Sequence, residues 1–146
     1  MKQSQLISGL DCTCDRLRRL TRRVTQMYDH HLQPSGLRIT QFVLLATLEA
    51  AESVSVTELA EALGMDRTTL TRNLQPLALS GYLTVDEGSD RRSRSVRITD
   101  VGSTVVKNAT LYWEKAQKQM VEVIGAEQLQ KFHELMDCSL EQLSAD

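Results

Sequence analysis

Between Leu10 and Leu32 apolar side chains recur at Leu10, Leu17, Leu20, Val24, Met27, Tyr28 and Leu32, with Cys14 filling the gap between Leu10 and Leu17. Steps of three and four predict one amphipathic helix. Arg16, Arg18, Arg19, Arg22 and Arg23 fall mostly off this stripe and read as a solvated face. The run QPSG at 33–36 ends the helix. A second helix is expected from about Thr40, its N-cap, through QFVLLATLEAA; an almost wholly apolar surface predicts central burial. Ser55 with Glu58 three residues on forms a capping box that opens a third helix, and Gly64 closes it. Asp66 then caps a fourth helix with a buried stripe of Leu70, Leu74 and Leu77. Its other face carries Arg67, Thr68, Thr71, Arg72 and Gln75. Pro76 removes one backbone bond inside this helix and should bend its C-terminal half, which Gly81 ends.

The pattern then changes to a period of two. Leu83, Val85, Val96 and Ile98 point one way, and Thr84, Arg97 and Thr99 the other, which predicts two half-buried strands around the tip EGSDRRSR. After Asp100 a long helical stripe returns at Val105, Ala109, Tyr112, Ala116, Met120 and Val123; it breaks near Gly125. A last helix carries Leu129, Phe132, Met136, Leu140 and Leu143. The terminal helices have apolar faces but no long partner within residues 40–99. The first and last helices are therefore expected to pack together, and dimerisation is the natural way to bury what remains.

Composition sharpens this picture in two ways. At 146 residues and 41% hydrophobic, the chain is long enough to bury a real core. No stretch approaches the ~20 apolar residues of a membrane span, and the N-terminus lacks a secretory apolar core, so a soluble, cytoplasmic protein with reduced thiols is expected. The net charge of −2 argues superficially against a nucleic-acid partner, yet it is unevenly spread. Residues 1–40 carry +4, 41–65 −4, 66–97 +2 and 98–146 −4. Segregated acid allows a basic face on an acidic protein.

Two short helices joined by a glycine turn, then a strand, an arginine-tipped hairpin and a second strand, follow the order of a winged helix-turn-helix. Ala60, Gly64 and Leu70 match the small, turn-glycine and apolar positions of that unit. Here the sequence resembles the MarR family of bacterial transcriptional regulators, over essentially the whole chain. The sharpest match is Asp90-x-Arg92, five residues, Ile98-Thr99 and then Asp100-Val101-Gly102, similar to the family's D-x-R-x5-(L/I)-T-x-x-G signature. The resemblance implies a mainly α fold with a small β-hairpin wing. It implies a winged helix-turn-helix DNA-binding domain at 37–99 and a helical dimerisation region from 1–36 and 100–146. It further implies a homodimer on a pseudo-palindromic double-stranded operator, usually repressing.

Arg67, Thr68, Thr71, Arg72 and Gln75 offer donors for base edges and phosphates, a bidentate Arg to guanine giving ~1–3 kcal/mol of discrimination. The resemblance implies that Arg92 enters the minor groove while Asp90 holds it by an ion pair. Arg91 and Arg94 would then contact phosphate.

The signal is approached through the cysteines, Cys12, Cys14 and Cys138. Cys14 continues the apolar stripe, and Cys138 sits in the last helix, so packing can account for both. Cys12, about 200° from Cys14 around a helix, has no such explanation. An intact helix diverges too far for these two to join, so the helix start would have to unwind; a bond from either to Cys138 would need the terminal helices to meet. Redox sensing is the leading expectation. A thiophilic-metal sensor and a repressor with structural cysteines, induced by a small aromatic or other organic ligand, are the alternatives. Neither a cofactor nor a metal site is expected: His30 and His31 lie roughly 25 Å from Cys12, and His133 stands apart. Enzyme activity is not expected either, because C-x-C is not the C-x-x-C of thiol oxidoreductases and no catalytic constellation appears. A winged-helix protein-interaction module is disfavoured by the arginine-rich wing.

Overall fold

The structure, a computed structural model, describes residues 11–88 and 93–144. Among these, helix α1 spans Thr13–Leu32 and runs through a 3-10 turn at Gln33–Ser35 into α2 (Ile39–Ala50). Strand β1 (Val54–Ser55), α3 (Val56–Ala62) and α4 (Arg67–Leu79) follow; then come β2 (Leu83–Asp86), β3 (Ser95–Ile98), α5 (Asp100–Ile124) and α6 (Ala126–Ser144). The fold is mainly α with a small antiparallel sheet in the order β1-β3-β2.

The core lies under α2, as its nearly all-apolar sequence requires. Phe42, Leu44, Leu45 and Leu48 are buried there with Leu59 and Ala60 of α3, Leu70, Leu74 and Leu77 of α4, and Leu83 and Val96 of the hairpin. Pairing of Leu83 with Ile98 and Val85 with Val96 sets the expected apolar face of the hairpin inward. The short β1, paired through Val54 with Val96, was not expected. Two residues are too few for a period of two to announce a strand.

Three local expectations are corrected. Helix α2 begins at Ile39 with Arg38 as N-cap, so Thr40 lies inside the first turn. Acceptors from elsewhere do the capping: Asp29 of α1 takes the Ile39 amide at 2.7 Å, and Gln41 takes that of Arg38 at 3.0 Å. Thr99 does not point outward with Arg97 but caps α5, accepting the Gly102 amide at 3.1 Å. Finally, within one chain α1 and α6 each pack chiefly on α5 rather than on one another. Tyr28 of α1 donates to Gln117 of α5, and His31 meets Gln119 at 2.6 Å.

This leaves apolar surface uncovered in the single chain. Leu17 and Leu20 of α1, Val121 and Val123 of α5, and Leu135, Leu140 and Leu143 of α6 are all exposed. No helix among the described residues is long and apolar enough to cross a membrane.

Candidate nucleic-acid interface

Helix α4 is fixed at its start by its own sequence. Gly64 adopts φ +61°, a left-handed turn open to glycine at little cost, and the Met65 amide closes that turn on Ala60 O at 2.9 Å. Asp66 then accepts the Thr69 amide and hydroxyl, each at 2.8 Å. These bonds to Thr69 hold its carboxyl below the ordinary carboxylate range. With Leu70, Leu74 and Leu77 buried, the opposite face is determined. Arg67, Thr68, Thr71, Arg72 and Gln75 are all exposed there, within an arc of ~140° at the helical 100° per residue. Thr71 Oγ1 donates to Arg67 O at 2.8 Å, so its methyl and its lone pairs are what it presents outward.

The wing is tied to the same unit at its base. Arg94 is half-buried, its Nη2 3.2 Å from Glu87 Oε1 across the hairpin, and its carbonyl accepts the Val56 amide that opens α3 at 2.9 Å. Asp90, Arg91 and Arg92 lie outside the described residues. The end of the hairpin explains the T-x-x-G part of the motif physically. The Thr99 amide donates to Tyr82 O at 3.0 Å and its hydroxyl to Gly81 O at 2.6 Å, while Thr99 caps α5 through Gly102. Gly102 is required by contact: a Cβ there would sit 2.0 Å from Tyr82 O. One threonine and one glycine thus clasp the end of α4 to the start of α5.

Sequence reasoning overlooked Arg38. A cleft of about 130 Å³ separates the first turn of α2 from the flank of α4. It is walled by Arg38, Thr40 and Gln41 on one side and Arg72, Asn73 and Pro76 on the other. An isolated arginine beside QPSG carries no signal of its own, and its relation to Arg72 exists only once the two helices cross.

The cysteines are placed differently from the expectation. All three are free thiols; Cys12 is half-buried, while Cys14 and Cys138 are exposed. The helix begins at Thr13, so Cys12 is an N-cap on extended backbone and helical angles do not apply to it. Cys14 follows a stripe whose next members, Leu17 and Leu20, are themselves uncovered. The five arginines behind the cysteines are on the helix surface, with Arg16 paired to Asp11 and Arg19 to Asp15 at 2.9 Å. Among the described residues no three His, Cys, Asp or Glu side chains gather where they could hold a metal ion.

Comparison with known proteins adds to this geometry. The model of the MarR family matches residues 35–93. The Mycobacterium tuberculosis transcriptional regulator MosR, solved in complex with DNA, is 31% identical, with 91% of this chain and 98% of that chain covered and a TM-score of 0.79. A cysteine-to-serine mutant of Escherichia coli MarR complexed with operator DNA superposes with a TM-score of 0.78 at 18% identity, covering 96% of this chain and 99% of that one. The oxidised form of the same Escherichia coli protein gives 0.70 at 18% identity, over 92% and 98%.

Proposed function

Because this chain belongs to the MarR family of transcriptional regulators, we propose that it binds a pseudo-palindromic operator in double-stranded DNA as a homodimer and represses until cysteine oxidation releases it. As a member of that family the chain is a transcriptional regulator and not an enzyme. The observation that carries the DNA-binding reading is the exposed arc of Arg67, Thr68, Thr71, Arg72 and Gln75 on a helix whose start and end are both pinned. Such a helix can enter a major groove without paying to order itself. MosR, 31% identical, was solved with DNA, which supports DNA binding by this chain. The family resemblance implies wing contacts from Asp90, Arg91, Arg92 and Arg94, with Arg92 in the minor groove.

The uncovered leucines and valines of α1, α5 and α6 support the homodimer. Residues 1–36 and 100–146 form the dimerisation region in this reading, and 37–99 the DNA-binding domain. The two α4 helices must then be spaced by about 34–36 Å, one turn of DNA.

Oxidation acts on Cys12 and Cys14 at the start of α1. A peroxide converts one thiol to a sulfenic acid with release of water, and the neighbouring thiol displaces a second water to form the disulfide. Because Cys12 is already outside the helix, this bond disturbs only the first turn, next to Leu17 and Leu20 of the dimer surface. The test is a gel shift on DNA from the protein's own promoter, reduced and peroxide-treated, with wild type, Cys12→Ser and Cys14→Ser. Retardation when reduced and release on oxidation are expected, with release abolished in both variants. Failure to retard the DNA at all overturns the operator assignment, and release unchanged in both variants overturns the cysteine mechanism alone.

A further inference from the structure

The cleft between α2 and α4 brings Arg38 and Arg72, 34 positions apart in the chain, to one opening. No carboxylate lines it. Elsewhere Arg16, Arg19 and Arg94 each meet an aspartate or glutamate, whereas among the described residues neither Arg38 nor Arg72 is ion-paired. Arg38 also borders a second hollow that it shares with Asp29, but the cleft it shares with Arg72 has no carboxylate in its lining, and an anion seated there is attracted by both guanidinium groups. Guanidinium groups suit an oxyanion especially well, because their planar donors match two oxygens at once. Thr40 adds a hydroxyl on the same rim, while the Asn73 amide is turned away toward Met65 Sδ at 3.6 Å.

We infer that this cleft seats a phosphate of the DNA backbone, and that Arg38 is a positioning residue extending the interface from α4 to the start of α2. The inference rests on the reading of α4 as the DNA-facing helix. It goes further by adding a contact outside both helix-turn-helix and wing. Arg72 belongs at once to the exposed arc of α4 and to the cleft, so the seat is continuous with the proposed groove-reading face. A helix lying in a major groove is flanked by sugar-phosphate ridges, and the cleft opens on such a flank. Contacts of this kind set register and carry no sequence information.

The test is a salt titration by fluorescence anisotropy, using a duplex from the protein's own promoter and a scrambled duplex of equal length. Arg38→Ala is expected to weaken both duplexes by the same factor and to reduce the log–log salt slope by about 0.9 per subunit, about 1.8 for the dimer. Wild type should then lose about twelvefold more affinity than the variant between 50 and 200 mM salt. Arg38→Lys should restore the slope, which a merely structural role for Arg38 does not predict. An unchanged slope in Arg38→Ala, alongside a reduced one in Arg72→Ala, overturns the inference and leaves the α4 reading intact. Unchanged binding in Arg38→Ala, Arg67→Ala, Arg72→Ala and Gln75→Ala together overturns both. Thermal protection of the DNA-free protein by inorganic phosphate, lost in Arg38→Ala while the DNA salt slope stays at the wild-type value, would reassign the cleft to a free oxyanion.

Discussion

Replacing Gly102 with alanine tests the clasp between α4 and α5 by adding a single methyl group. The new Cβ would sit 2.0 Å from Tyr82 O and 2.9 Å from Ile98 Cγ1. The carbonyl is held by the Thr99 amide at 3.0 Å, so it cannot retreat without weakening that bond. Overpacking of this kind costs about 1–3 kcal/mol. Loss of the Thr99 to Tyr82 hydrogen bond adds about 1 kcal/mol. Alanine recovers about 1 kcal/mol through its helix propensity over glycine, so the net destabilisation is about 1–3 kcal/mol. Urea unfolding followed by circular dichroism, with both proteins at one fixed concentration, reads this as a lower midpoint. Anisotropy on operator DNA should show weaker binding even at temperatures where the variant is folded, because relief of the clash moves α5 relative to Tyr82. A midpoint equal to or above that of wild type would refute the close approach, since propensity alone would then be deciding the outcome.

Two further outcomes are expected. Leu140→Asp combined with Leu143→Asp places charge on side chains that are 63% and 78% exposed in the single chain; covering the exposed part of each leucine is worth about 1–2 kcal/mol, so four in the proposed dimer account for about 4–8 kcal/mol. Sedimentation should show a monomer with little DNA affinity, and an unchanged dimer at micromolar concentration would exclude this face from the interface. Tyr28 is raised above its usual pKa of 10 by burial, so above about pH 10 the unfolded chain ionises first and stability falls as pH rises through the folded value. Urea midpoints taken from about pH 9 to 11.5 should therefore fall more steeply for wild type than for Tyr28→Phe, and parallel curves would contradict it.

The helices and the hairpin were legible because each carries a strong period and its own punctuation, such as Ser55 with Glu58, Asp66 and Gly81. The exposed face of α4 was legible for the same reason: once Leu70, Leu74 and Leu77 are inside, the five polar positions have nowhere else to go. What the pattern hid depends on partners distant in sequence. Asp29 caps α2 from another helix, which moved the helix start from Thr40 to Ile39 and made Arg38 part of a cleft. Thr99 looked like one more outward strand residue because its acceptor, Gly81 O, lies 18 positions earlier. Cys12 was read on a helical wheel although the helix begins one residue after it.

Helix α5, with 25 residues, is about 37 Å long, and it is anchored at one end to the end of α4 while its other end runs among the uncovered apolar side chains. A rod of that length converts angle into distance: a tilt of about 5° displaces its far end by about 3 Å. The separation that DNA demands between two recognition helices is itself only one helical turn, so a mismatch of that size in each half is a large fraction of the width of a groove. Breaking the fit to DNA therefore requires no unfolding of the reading head. In the proposed homodimer, a few degrees introduced anywhere along the seam are enough.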